Sequence, residues 1–197
     1  MTAAAVLPRR EPLDQLTLRR AQQGDERAWR VLVEQYQQPI HALIWRLLAK
    51  RSRHRCEDLT QETFVRVLRA LPTFDPTGSA TLQTWILTIA TRLTLNEMRR
   101  PEPFALPDDL DAPASERADA TADRRRLGEA IAAGVGALPD AQRAVFVLRE
   151  YHELEYSEIA TALEIDLGTV KSRLARARAA LRDHLAGALP ELGVRHG

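Results

Sequence analysis

Two short helical periods joined by a tight turn, in YSEIATALEIDLGTVKSRLARARAAL over residues 156–181, constrain this chain more than any other stretch. The first period offers Ile159, Ala160 and Leu163 as a buried side. After the turn, Val170, Leu174, Leu181 and Leu185 recur at spacings that place them on one stripe, with the small Ala177 between them. At roughly 100° per residue, the opposite side carries Ser172, Ala175, Arg176 and Ala179, flanked by Lys171 and Arg173. Two helices in this relation form a helix-turn-helix, whose second helix enters the DNA major groove.

The residue types suit that geometry. Alanines on the outward face keep the second helix thin enough to approach base edges. Arg176 can donate a bidentate pair to a guanine, which is worth about 1–3 kcal/mol of discrimination. Ser172 serves either base type, and Lys171, Arg173 and Arg178 are placed to hold phosphates. Gly168 and Thr169 present backbone N–H groups at the helix start, where a phosphate is naturally bound. A solvated basic helix is the plain alternative for KSRLARAR alone. The preceding helix and turn favour DNA.

Composition narrows the rest. Aromatics make up 5% and hydrophobic residues 45% of the 197 residues, a balance that fits packed helices better than sheets. The net charge of +1 hides two opposed blocks. Residues 171–185 hold five Lys or Arg against Asp183 alone, and residues 101–123 hold seven acids against Arg117 alone. The single cysteine, Cys56, rules out an intramolecular disulfide and fits a reducing, cytoplasmic setting. RHRCED does not have the spacing of a zinc site, and an inert thiol is the expectation there over a redox sensor. No metal or cofactor is implied, and no run has the length of a membrane span, so no membrane insertion is expected. MTAAAVLPRREP lacks the apolar core of a secretory signal.

An all-α chain of two small helical domains on a flexible acidic linker is expected. Residues 1–13 read as a tail and residues 14–100 as a helical domain. Within that domain Gly24 and Asp25 break one helix from the next, and Pro39 opens another with Ile40, Leu43, Ile44 and Leu47 inward. A helix over 57–71 is stopped by Pro72, and one over 84–100 by Pro101. On the 57–71 helix, Phe64, Leu68 and Leu71 form the expected apolar stripe. Asp58, Gln61, Glu62, Val65 and Arg69 share another face, suited to a protein partner presenting basic and polar helices. TFDPTGSATLQ between the last two helices is turn-rich. Residues 101–124, with four prolines and no usable apolar period, form the linker. Residues 125–187 carry the helix-turn-helix, with Pro139 starting a helix over 140–151, and 188–197 are a second tail.

LPDAQRAVFVLREYHELEYSEIATALEIDLGTVKSRLARARAALR resembles region four of the extracytoplasmic-function (ECF) sigma factors of bacterial RNA polymerase. QQGDERAWRVLVEQYQQPIHALIWRLL with EDLTQETFVRVLRALPTFDP resembles their region two, and TWILTIATRLTLNEMRR their promoter-reading helix. The resemblance implies a non-enzymatic subunit that binds core polymerase through its β′ clamp and β flap and directs promoter recognition, local −10 melting and transcription initiation. It assigns Asp58, Gln61, Glu62 and Val65 to the polymerase; Thr88, Thr91, Arg92 and Asn96 to −10 DNA; and Thr169, Lys171, Ser172, Arg173, Ala175, Arg176 and Arg178 to −35 DNA. The loop over 75–83 resembles the one that captures a flipped base. An anti-sigma factor is a further partner implied by resemblance alone.

Departures are visible. Relatives often carry basic residues at Thr88 and Thr91, asparagine at Arg92, a larger side chain at Ala175 and glycine at Glu164. At Glu164 a turn of another form is therefore expected, since positive φ disfavours Glu by up to about 1 kcal/mol. A free-standing helix-turn-helix regulator would instead be a homodimer on a palindromic site. An enzyme is disfavoured: five scattered histidines form no H-E-x-x-H, and no Gly-rich phosphate loop occurs.

Overall fold

A computed structural model describes residues 12–49, 53–99 and 122–188, and its regular structure there is entirely helical. The 101–121 part of the linker and residues 1–11 and 189–197 of the expected tails lie outside the described residues, while Leu13 is buried and Ala188 ends the last helix.

The first unit is built from α1 (Gln15–Gln22), α2 (Glu26–Leu48), α3 (Arg53–Ala70), a 3-10 turn (Leu71–Thr73) and α4 (Leu82–Met98). Asp14 and Asp25 start α1 and α2 by accepting N–H bonds from Thr17 and from Arg27 and Ala28. Gly24, at φ 87, makes the corner between them, as its sequence context required. α2 is the central rod, packed against α1, α3 and α4.

Pro39 does not open a helix: it lies inside the continuous α2. An internal proline costs a helix about 3 kcal/mol. Here Leu32, Tyr36, Ile40, Leu43, Ile44 and Leu47 form one buried stripe across it, so packing on both sides outweighs the lost N–H. α3 starts a turn earlier than expected. Its buried side runs through Cys56, Leu59, Thr63, Phe64 and Val67 to Leu71. Leu68, expected inside, is 46% exposed, because Val67 takes the inward phase. Cys56 is buried and donates to the His41 carbonyl; burial pushes its thiol up to about 12, so it is unreactive.

The second unit comprises α5 (Ala122–Ala137), α6 (Asp140–Glu150), α7 (Tyr156–Leu163) and α8 (Leu167–Ala188). Gly134 lets α5 and α8 touch, since a Cβ there would sit 2.6 Å from Leu181 Cδ1. The two units pack together through α2 with α5 and α6, and through α4 with α7.

Arg143 lies at this junction, 3% exposed. Its guanidinium donates to Leu47 O at 2.9 Å in the last turn of α2, to Gly136 O at 3.1 Å and to Leu138 O at 2.8 Å, and it pairs with Asp140. Carbonyls at helix C-termini have no partner inside their own helix, and one cation here serves two such ends. Beside it Arg46 lies 4.2 Å over the Tyr151 ring. His152 is buried next to Arg46 with no hydrogen-bond partner on Nε2; burial first, then the Arg46 charge, pushes its pKa down to about 3.

Arg143→Met should lower unfolding stability in urea by about 3 kcal/mol, because it strips the buried Leu47 and Leu138 carbonyls of their donor. A loss under about 1 kcal/mol would show that the network is dispensable. For His152 the folded pKa lies below the ordinary 6.5, so its contribution is fully present above that value and is lost as pH falls toward 3. The chain should lose about 2 kcal/mol from this residue between about pH 7.5 and 5, and His152→Phe should flatten that part of the stability–pH curve.

Candidate functional site

Three outward surfaces emerge, one on each of α8, α4 and α3.

The helix-turn-helix is α7, a turn at residues 164–166, and α8. A reciprocal capping arrangement starts α7: the Glu155 N–H donates to Glu158 Oε2 at 2.7 Å. Ile159 and Ala162 are its buried residues, whereas Ala160 and Leu163, expected inside, are only partly covered. The turn keeps its left-handed corner despite lacking glycine: Glu164 sits at φ 55, ψ 48. The expectation of another turn form does not hold. Asp166 then starts α8 by accepting from Thr169 N at 2.7 Å and Thr169 Oγ1 at 2.6 Å, bonds that hold its carboxyl below the usual range. The anion at the start of α8 is thus the chain's own, which engages Thr169 rather than leaving it for a phosphate.

Along α8, Val170, Leu174 and Ala177 are buried as their spacing required. Lys171, Ala175 and Arg176 face solvent, while Ser172 and Arg173 are half-buried and the Ser172 hydroxyl donates to Thr169 O. Among the described residues, Lys171, Arg173 and Arg176 have no ion pair or hydrogen bond through their charged groups. Arg178 differs. It donates twice to Glu150 Oε1, at 3.0 and 2.6 Å, so its charge is already matched.

On α4, Thr84, Thr88, Arg92 and Asn96 follow one another at four-residue steps and share a stripe. Thr88 is half-buried, and Asn96 is exposed and accepts from Arg99 at 3.4 Å. Thr91, expected to face DNA, points the other way: it is fully buried, and its hydroxyl donates to Leu87 O at 2.7 Å. Arg92 is 45% exposed yet engaged, donating to Thr161 O at 2.8 Å and Ala162 O at 3.0 Å, and pairing with Glu164 at 3.2 Å.

The loop preceding α4 is organised by residues the sequence did not single out. Gln22, at the end of α1, donates to Leu71 O at 3.1 Å and Phe74 O at 2.8 Å. Asp75 accepts from Thr77 N and Oγ1, and Phe74 packs on Trp85 with ring centres 5.0 Å apart. A polar residue beside buried Ala21 was the available hint for Gln22; its partners lie some fifty residues away.

The third surface is on α3. Asp58, Gln61, Glu62 and Val65 are all exposed, as expected for a shared outward face. Leu68 joins them, so Gln61, Val65 and Leu68 make a stripe with two exposed apolar side chains. Glu62 holds Arg66 at 2.8 Å, and His54 lies 3.7 Å from Asp58. Among the described residues no group of His, Cys, Asp and Glu is arranged to hold a metal, and no helix is long and apolar enough to cross a membrane.

Comparison with known proteins gives two family matches: Sigma-70 region 2 over residues 32–102, which takes in the α3 and α4 surfaces, and Sigma-70, region 4 over residues 128–181, which takes in the helix-turn-helix. The chain is 39% identical to the ECF RNA polymerase sigma factor SigE of Mycolicibacterium smegmatis, over 83% of this chain and 65% of that protein. It is 33% identical to the RNA polymerase sigma-H factor of Pseudomonas aeruginosa, over 90% of this chain and 96% of that one. Among solved structures, the sigma factor RpoE of Bartonella quintana in complex with the anti-sigma factor NepR shares the fold. Its TM-score is 0.63 at 21% identity, covering 80% of this chain and 96% of that one.

Arg176→Ala should weaken DNA binding and relax selectivity at a single base position, by about 1–3 kcal/mol when anisotropy is compared across single-base variants. Thr91→Val conserves a buried volume and removes a hydroxyl bonded within its own helix, so it should leave the same affinities unchanged. Equal losses from both changes would contradict the face assignment.

Proposed function

The chain belongs to the ECF RNA polymerase sigma factors, and from that premise we propose that it is a promoter-specificity subunit, not an enzyme. The first unit, over residues 14–100, binds core polymerase and the −10 element, and the second, over 125–187, binds the −35 element. The linker over 101–124 tethers them, so two weak DNA contacts cooperate through effective concentration and favour correctly spaced promoters.

The observation that carries this reading is the α3 surface, where Val65 and Leu68 lie uncovered beside the acids Asp58 and Glu62. An apolar strip beside carboxylates fits a partner surface of basic and apolar side chains, which the β′ clamp of the polymerase supplies in this family. The β flap is the family's contact for the second unit. On α8, Arg176 and Lys171 lead the −35 contact with Ser172, Arg173 and Ala175, while Thr169 and Arg178 steady the helix. On α4, Thr88, Arg92 and Asn96 form the −10 stripe, and Thr91 supports it from inside. An anti-sigma factor is the third partner, as one is for the Bartonella relative. A cytoplasmic location accompanies these roles.

The full chain, run with core RNA polymerase on a sizing column, should co-elute at about one to one. The pair Asp58→Lys with Glu62→Lys should weaken that association about tenfold or more, since it places like charges opposite the partner's bases. A self-associated chain that ignores polymerase would overturn the reading in favour of a free-standing regulator.

A further inference from the structure

Two positions of the α4 stripe, Thr84 and Arg92, are already engaged, and their partner is the chain's own helix-turn-helix. Arg92 uses all three of its guanidinium nitrogens on one target. Nε and Nη2 donate to the carbonyls of Ala162 and Thr161 in the last turn of α7, and Nη1 pairs with Glu164 just beyond it. Those carbonyls lack partners within α7 and sit at the negative end of its dipole, so a cation is favoured there twice over. Two turns earlier on the same stripe, the Thr84 hydroxyl donates to Glu158 Oε1 at 2.8 Å. The other oxygen of Glu158 closes the capping arrangement of α7. α7 is therefore held at both ends, by Thr84 at its start and Arg92 at its finish.

Glu164 is the more informative partner. Its backbone lies at φ 55, ψ 48, where glycine fits without strain and a glutamate does not. Nothing in the turn itself uses a glutamate side chain, whereas the carboxylate reaches Arg92. A residue poorly suited to its local corner but matched to a distant cation serves the contact between the units. Behind it, the Arg143 bond to Leu47 O and the Arg46–Tyr151 stack hold the same approach.

We propose that Arg92 and Glu164 form a latch that closes the free chain on itself, so that α7 and promoter DNA compete for the α4 stripe. The proposal rests on the reading of α4 as the −10 helix. In the closed form α7 is held by Thr84 and Arg92, and DNA cannot take the Arg92 guanidinium donors until α7 leaves. Binding to polymerase, which engages the exposed α3 face, is compatible with the closed form at first contact and leads to promoter reading only after the latch opens.

The test uses the full chain carrying Cys56→Ala, with spin labels at Glu34→Cys on α2 and Arg182→Cys on α8, both exposed and outside the contact. The free chain should give one short, narrow distance by pulsed electron resonance. Glu164→Gly relieves the strained corner and so keeps the fold, yet it should shift the closed-to-open ratio about tenfold toward long distances. Thr84→Val should shift it in the same direction. Glu164→Gly should also raise affinity for a fluorescein-labelled A/T-rich single strand several-fold. Indistinguishable distance distributions for the unaltered chain and Glu164→Gly would overturn the latch. If the distances lengthen while single-strand affinity stays fixed, the latch stands and the assignment of α4 to −10 DNA falls.

Discussion

The arrangement of the whole molecule depends on arginines donating to helix carbonyls that have no partner within their own helix. Arg143 does this for the ends of α2 and α5 together, from a position almost sealed from solvent. Arg92 does it for α7, and Arg149 donates to Leu154 O just before α7 begins. A guanidinium suits this task because its planar fork can satisfy several acceptors at once and never loses its charge. A lysine at position 143 would offer a single point of charge to acceptors spread over three segments. Contacts of this kind are also separable. Arg143 keeps Gly136, Leu138 and Asp140 within its own unit whether or not α2 is adjacent.

That separability matters under the proposed function, in which the two units read elements separated along one duplex. An apolar seam between the units would have to be exposed to water at every opening, at a cost proportional to its area. The seam here is partly of that kind, since the buried apolar residues of both units form one continuous cluster; its hydrogen bonds and its cation–π stack are the part that can exchange partners for water, phosphate or bases. The surfaces left uncovered on α3 and α8 lie away from this seam, so the contact between the units leaves both open.

Much of the organisation was legible in the sequence because helices announce their ends locally. Gly24 with Asp25, Pro72, and Pro139 before Asp140 punctuate the chain where the helices break, each through its own backbone chemistry. The buried stripe of α8 was legible too, from Val170, Leu174 and Ala177. What misled was phase and context. Leu68 and Val67 differ by one residue, about 100° around the helix, and only the position of the neighbouring helices decides which turns inward. Pro39 is a helix starter by local rules, yet it lies mid-helix because burial extends on both sides of it. Thr91 is polar, but a threonine can satisfy its hydroxyl on the preceding turn and enter the core.

The sequence by itself determined the all-helical class, the two blocks, the helix-turn-helix and the family, since each is written in short-range periodicity and in motifs. Only the tertiary structure decided which cations are free and which are engaged. Arg178 is matched by Glu150 and Arg92 by α7, while Lys171 and Arg176 remain open on the same kind of helical surface. In sequence these four are alike, for a side chain carries its charge with it. Its partner is set by how distant segments pack, and residues 92 and 164 meet only because α4 and α7 lie side by side.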